Sequence, residues 1–541
     1  MSGPGPVVPV CDHVPMPDWT YHPLRPVTAA VVGRRRSQRA ALRLLATLTS
    51  LPGGFRMDSA FAGRFGAPAE VAARLGASVP VAVARDAVRA LPALGASVIE
   101  VRPVGPADVA LIRRVAAGRR CTLVVGAAEP EVAAALAPHV DRIAGDDEPD
   151  LVRLSDPDVA GAAAALADPA VTVLATSALL VAAGPGWFQR VTEATAPPTE
   201  MKALPIEMTT PPVEVKAPTT EATAPAGPSG RASGIVVDPR RWPAWWWGML
   251  VGLGMIVAGL GAAVITLGPL LAWYDNEYLG AGRGQLEAVN PRLVHFVQHD
   301  RISLAGALIA IGVLYAGLAW GGIRRGWTWA RYAYLASGAV GFPTLFYFVS
   351  SGFVDVLHAA ATVTLFPMFV LAVRHRPGPP RWTVRPEGPE FVRRRALVGQ
   401  LLMILVGAGM LVGGVTISVV GLSSVFVTTD LAFLGTDTHH LQAANPRLVP
   451  FIAHDRAGFG GALMSAAAAI VLLSAWGWRR GESWVWWSLA LAAVTGFAPA
   501  VVVHMFIGYT SFEHLVPVYL GIALTAVALT LAHPYLNRPR R

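Results

Sequence analysis

Hydrophobic residues fall into two rhythms along this chain, short runs before about Glu193 and long unbroken blocks after about Pro243. Eight blocks, at roughly 243–268, 302–320, 328–350, 354–374, 397–425, 457–475, 484–507 and 515–533, reach the ~20 apolar residues a helix needs to cross a bilayer. Upstream, Val79–Val83, Val98–Val101 and Thr122–Val125 are short apolar runs set between Ala-rich stretches of helical period, which predicts βα units and a parallel sheet. The stretch between the two rhythms, about 195–237, is Pro, Thr, Glu and Ala and predicts a disordered tether. The expected organisation is an α/β domain over 1–193, a linker over 194–240, and two four-helix membrane repeats over 241–380 and 381–541.

The repeats are visible as sequence. Asp275, Leu279-Gly280, Leu286, Ala288 and Asn290-Pro-Arg-Leu-Val294, Phe296, His299-Asp-Arg301 return 155 residues later as Asp430, Leu434-Gly435, Leu441, Ala443 and Asn445-Pro-Arg-Leu-Val449, Phe451, His454-Asp-Arg456. Identity over 275–308 against 430–463 is 17 of 34 positions, which makes this half of the chain a tandem duplication. Asn-Pro opens a helix in each copy, because Asn caps free backbone N–H groups and Pro suits the first helical position. Along that helix Arg292, Phe296, His299, Ser303 and Gly306 form one stripe, as do Arg447, Phe451, His454, Gly458 and Gly461. The small residues predict close contact with another helix, so each His faces protein.

Composition agrees with a membrane protein: 53% hydrophobic, 15% charged, 16 Trp and a mean hydropathy of +0.48. The net charge of +9 comes from arginines beside apolar blocks, at Arg240-Arg241, Arg324-Arg325, Arg374 to Arg395, Arg479-Arg480 and 537–541. That placement argues for a bilayer partner and against nucleic acid, and by the positive-inside rule it puts both termini in the cytoplasm and the repeated block on the outer side. Cys11 and Cys121 fit neither a disulfide framework nor a zinc motif.

The candidate polar site is Asp275, His299, Asp300, Arg301 and His358 in one copy, and Asp430, His454, Asp455, Arg456 and His514 in the other. His358 and His514 follow a repeated Gly-aromatic pair, Gly352-Phe353 and Gly508-Tyr509, with one residue inserted. Three readings stay open: ion pairs such as Asp300 with Arg301 that fix the loops, a divalent-metal or proton-linked site, and haem held between His299 and His358. Trp242–Trp247 and Trp484–Trp487 read as interfacial belts. Only Gly341-Phe-Pro343 and Gly496-Phe-Ala-Pro499 offer breaks of the kind a midplane transport site needs.

Residues 15–193 carry a family resemblance. Pro17-Asp-Trp-Thr-Tyr-His-Pro-Leu-Arg-Pro26, the helical sequence on to Leu51-Pro-Gly-Gly54, Ala93 to Pro106 and Ala175 to Arg190 follow one another as similar segments do in class 2 dihydroorotate dehydrogenases. The resemblance implies a TIM-barrel-like, flavin-binding fold that passes electrons to quinone, here incomplete because a barrel takes about 250 residues. Asp86 matches the family's flavin segment, but its lysine, its catalytic serine segment and its Gly-rich phosphate loop have no counterpart; Asp156 to Val173 is Ala-rich instead. The expectation is a non-catalytic domain without cofactor, open to an unknown protein partner, on an all-α membrane domain of eight transmembrane helices. The alternatives are an FMN- and quinone-linked dehydrogenase, and a transporter or metal- or proton-linked membrane protein.

Overall fold

The computed structural model describes residues 18–33, most of 36–47, and 73–195, 242–347, 352–374 and 389–537, a few single positions aside. The expected tether, 194–240, lies almost entirely outside them, as do Leu51-Pro-Gly-Gly54 and Cys11.

Six parallel strands build the first domain: β1 (Leu75–Val79), β2 (Val98–Val104), β3 (Thr122–Ala127), β4 (Arg142–Ala144), β5 (Leu151–Leu154) and β6 (Thr172–Thr176), in the order β4-β3-β2-β1-β6-β5. The first apolar run differs from expectation. The strand is 75–79, and Pro80, which has no N–H for a ladder, ends it and leads Val81–Val83 into a 3-10 turn. Alternation sets the two faces: Ile99, Val101, Leu123 and Val125 pack under the helices, while Val98, Val124, Leu151 and Leu174 fill the inner, concave face. The sheet curls as half a barrel, compatible with a TIM-barrel-like fold. Its opening lies between β4 and β5, which are joined by residues 145–150 without a helix.

On the concave face Glu100, fully buried, takes a two-point hydrogen bond from Arg153, Nη2 to Oε1 at 2.7 Å and Nε to Oε2 at 3.0 Å. Burial acts to raise the Glu100 carboxyl, but the Arg153 and Ser78 hydrogen bonds hold it below its ordinary value, so the pair stays ionic.

Among the described residues, seven helices are long and apolar enough to cross a membrane, which marks the chain as a membrane protein. These are α8 (Ala244–Leu267), α11 (Pro291–Gly317, continuing to Arg325), α13 (Val356–Arg374), α14 (Glu390–Leu422), α17 (Leu448–Gly477), α18 (Ser483–Ile507) and α19 (Phe512–Leu536). The block at 328–350 gives α12 (Thr328–Thr344) and a 3-10 turn, Leu345–Tyr347, where the described stretch ends. Pro499 sits inside a continuous helix and marks no unwound midplane site, whereas Pro343 lies one residue before the end of α12, where the helix tightens into the 3-10 turn.

Two helices form the centre. Apolar windows of α11 and α17 are 72% and 61% buried, against 17–28% for the other spans. Glycines let their neighbours in: a Cβ on Gly259 of α8 would stand 2.7 Å from the Ala305 carbonyl, and one on Gly414 of α14 would stand 2.7 Å from that of Gly460. These positions are 155 residues apart on both sides of the contact, so the same seam is built twice.

The half-barrel meets the bundle at the start of α14. The last carbonyls of helix Ser177–Ala183, which no helical N–H reaches, accept from Arg25 (Val181, 2.6 Å), Arg394 (Ala182, 2.7 Å) and Arg393 (Ala183, 3.2 Å). Helix α1 (Asp18–Val32) lies along the same end of α14.

Candidate functional site

Local capping shapes the repeated block. In each copy a short helix opens with an Asp folded back on its own start: Ala272 N–H to Asp275 Oδ2 and Val427 N–H to Asp430 Oδ2, both 2.8 Å. A second short helix follows and stops at Asn290 or Asn445, whose side-chain oxygen accepts from the N–H of Arg292 (2.8 Å) or Arg447 (2.9 Å). The expected helix start is thus present; α17 has its first regular turn at Leu448, two residues beyond Pro446.

The copies then exchange partners. Asn290 Nδ2 donates to the Leu434 carbonyl and Asn445 Nδ2 to that of Leu279; Arg292 donates to Phe433 and Arg447 to Tyr278. Deeper down, Arg301 bonds Asp275 of its own copy (2.7 Å) and Asp455 of the other (2.8 Å), and lies over the Phe451 ring. Arg456 repeats this with Asp430 (2.5 Å), Asp300 (3.1 Å) and Phe296. Each guanidinium also reaches a carbonyl, Leu270 or Val425, the two described non-glycine residues with positive φ, at 71° and 67°. A left-handed Leu or Val is strained, and the buried charge-assisted bond to its carbonyl compensates. All six charged groups are at most 8% exposed.

The expected pairing of Asp300 with Arg301 is therefore replaced by pairs between copies. Adjacent residues on a helix point about 100° apart, so a carboxylate and a guanidinium side by side in sequence find different partners.

The histidines also meet across copies. His299 of α11 stands with His504 and His514 of α18 and α19; His454 of α17 stands with His358 of α13 and Asp355 just before it. In each triad one candidate ligand atom per residue lies within 4.8 Å of the others. His299 Nδ1 is 2.8 Å from Asp300 Oδ1, and its Nε2 is 2.9 Å from His504 Nε2. His504 Nδ1 lies 2.5 Å from the Ala500 carbonyl. By contrast neither nitrogen of His454 has a hydrogen-bond partner among the described residues, although the residue is 5% exposed. His299 and His358 stand in different triads, which removes the haem reading that joined them.

Surrounding hydroxyls are set as donors. Tyr509 donates to Asp430 Oδ1 (2.9 Å) and Tyr274 to Asp355 Oδ1 (3.0 Å). Burial first, and the adjacent carboxylate with it, holds both hydroxyls above their ordinary value. Burial acts to raise Asp355 too, but the His358 ring and backbone amide outweigh it and keep a carboxylate. An apolar cavity of about 70 Å³ lies beside His358, between Leu365, Tyr315 and Gly458.

Sequence reasoning named His299, His358, His454 and His514 but missed His504 and Asp355. His504 is the one ionisable residue of an apolar helix, a signal that was available; Asp355 has Ser511 at the corresponding place and no such mark. The stripe below the histidines behaves as expected: a Cβ on Gly306 would stand 2.9 Å from the Thr495 carbonyl, and one on Gly461 would overlap Thr344.

The clamp and triads lie far from the half-barrel. Helix α14 starts at the Arg393–Ala183 contact and ends near Asp430, so its 33 residues, at about 1.5 Å each, separate the two by roughly 50 Å. No family model, no curated protein and no solved structure matches the chain.

Proposed function

We propose that the chain is a non-catalytic binding protein of the cell membrane, with eight spans in two repeats related by a pseudo-twofold axis and a polar binding site between the repeats on the extracytoplasmic side. The exchanged Arg301–Asp455 and Arg456–Asp300 pairs carry this reading, because they hold two histidine triads between the halves rather than within either. Helix α12 with its 3-10 turn covers 328–347 and supplies the eighth span. Four spans per repeat give both copies one orientation, and the arginine-rich connections put both termini and the half-barrel in the cytoplasm.

The half-barrel is read as a relic of a flavoenzyme barrel that resembles class 2 dihydroorotate dehydrogenases. Its last strand pairs with its first, as barrel closure requires, and the gap between β4 and β5 is where central units would lie. An Ala-rich helix, Val159–Ala165, stands where flavin phosphate needs glycines, and the Glu100–Arg153 pair occupies the concave face. The domain remains able to dock on a protein partner. The test is a visible absorption spectrum of the purified protein with a quinone-reduction assay on dihydroorotate. No flavin band and no turnover are expected; a stoichiometric flavin band would restore the dehydrogenase. Reporter fusions at the C-terminus should report the cytoplasmic side, and a periplasmic-type signal would remove one span.

A further inference from the structure

Asp300 is a carboxylate bonded to Arg456, and Ala500 offers only a carbonyl, so the imidazole Nδ1 facing each of them, in His299 and His504, must be the donor. A neutral imidazole with its proton on Nδ1 has only a lone pair on Nε2. The two Nε2 atoms are 2.9 Å apart, so two lone pairs face each other inside the protein. Such a contact is repulsive unless a cation lies against both. Two nitrogens each 2.0–2.1 Å from one metal ion stand about 2.8–3.0 Å apart at a 90° angle and about 3.3–3.4 Å apart at the tetrahedral one, and the observed 2.9 Å falls at the 90° end.

His514 adds the third donor. Its Nδ1 is 3.4 Å from the Tyr509 hydroxyl, whose proton goes to Asp430, so the tyrosine oxygen is left to accept and the far nitrogen is left free. A carboxylate behind one ligand histidine and a carbonyl behind another are the outer contacts that orient metal-bound imidazoles. At the other triad the independent observation is His454, with two buried nitrogens unsatisfied among the described residues beside Asp355 and His358. Leaving a buried polar atom unpaired costs about 1–3 kcal/mol, and a cation bound to one of the two nitrogens removes that cost there.

From this geometry we infer that each triad binds one divalent first-row transition metal, His299/His504/His514 through three imidazoles and Asp355/His358/His454 through two imidazoles and a carboxylate. Nitrogen-rich sets exclude calcium and magnesium, which take oxygen ligands, and no thiolate is present to select a soft ion. Three protein ligands leave at least one coordination position for water or an incoming ligand, so these are exchangeable sites rather than closed structural ones. Binding uses lone pairs only; no proton need leave His299, His504 or the Asp355 carboxylate. The proposal rests on the binding reading above and gives its ligand a chemical class.

The experiment takes the full-length chain, purified in detergent through a tag without histidine, stripped with a chelator and titrated with Co(II), reading visible d–d absorption and elemental content. One equivalent of cobalt per triad is expected. His504→Ala should lose the equivalent of the first triad and keep the second; His358→Ala should do the reverse. His514→Ala, at a half-buried position outside the clamp, repeats the first test if His504→Ala does not fold, and monodispersity on gel filtration certifies each variant. A folded wild type that takes up no cobalt overturns the proposal and leaves the His299–His504 contact as a pair sharing one proton. Cobalt uptake unchanged in both His504→Ala and His514→Ala places the metal elsewhere and overturns it equally. A flavin band would strike the non-catalytic reading while leaving the cobalt count intact, so the two failures are separable.

Discussion

The two copies of the repeated block agree in one layer and differ in the next. In the clamp every guanidinium bond named has its twin: Arg301 with Asp455 and Asp275, Arg456 with Asp300 and Asp430, each guanidinium on a strained carbonyl. In the layer beside it one triad has three imidazoles and the other two imidazoles and a carboxylate. His299 leans on Asp300, whereas His454 leans on nothing among the described residues. The difference separates scaffold from site. Residues that must match their twin across an interface are held alike by the interface itself; residues that only face a ligand are free to diverge.

The largest effect should come from breaking the shared layer. Arg301→Ala leaves Asp275 and Asp455 buried without their cation, and Arg456→Ala does the same to Asp430 and Asp300; each should cost about 3–5 kcal/mol in thermal unfolding of the full chain. The two losses should agree within about 1 kcal/mol, and Arg301→Ala combined with Asp455→Ala should cost much less than the sum. Unequal losses would mean that the clamp is not one structure built twice.

A sharper probe acts on the layer that differs. Asp355→Ala removes the carboxylate ligand of the second triad and the cap that accepts from His358 N–H at 2.9 Å. Cobalt should be lost from that triad alone, with a stability cost of about 2–3 kcal/mol from the cap and from the Tyr274 hydroxyl left without its acceptor. Ser511→Ala, at the corresponding position of the other copy, should leave both unchanged. Next come the helix starts. Asn290→Ala and Asn445→Ala each remove a cap and one bond to the other copy, for about 1–2 kcal/mol apiece, again equal, read by the same melt.

Much of this was legible. Seven apolar helices, the Asn caps, the small-residue stripes and the run of parallel βα units all follow from spacing and composition, which report on one element at a time. The exchange between copies was not legible, for a physical reason. Two nearly identical blocks make the contacts within and between copies equally compatible with sequence, so assigning His358 to His299 or to His454 was a free choice until the helices were placed. Asp300–Arg301 misled for a related reason: adjacency along a helix is not adjacency in space. His504 has no repeated counterpart, since one residue of insertion aligns it with Phe348, and a search led by the repeat passes over it.

The smallest predicted effect also tests the comparison most finely, because it asks whether one copy can be given what the other has. Asp430 Oδ1 accepts from the Tyr509 hydroxyl, but its twin, Asp275 Oδ1, is buried with no partner among the described residues. The cause is a single oxygen: where one copy has Tyr509, the other has Phe353. The rings stand at similar distances from their neighbours, Tyr509 4.6 Å from Phe433 and Phe353 4.7 Å from Tyr278, stacked at 19° in the first pair and tilted at 49° in the second. Tyr509→Phe should therefore destabilise by about 1–2 kcal/mol, the cost of orphaning a buried acceptor. Phe353→Tyr should stabilise by about 1 kcal/mol, one of the few core substitutions here expected to raise the melting temperature. A loss from Phe353→Tyr would show that Tyr274, already committed to Asp355 where the other copy has Thr429, occupies the space the new hydroxyl needs, and that the two copies differ in shape as well as in ligands.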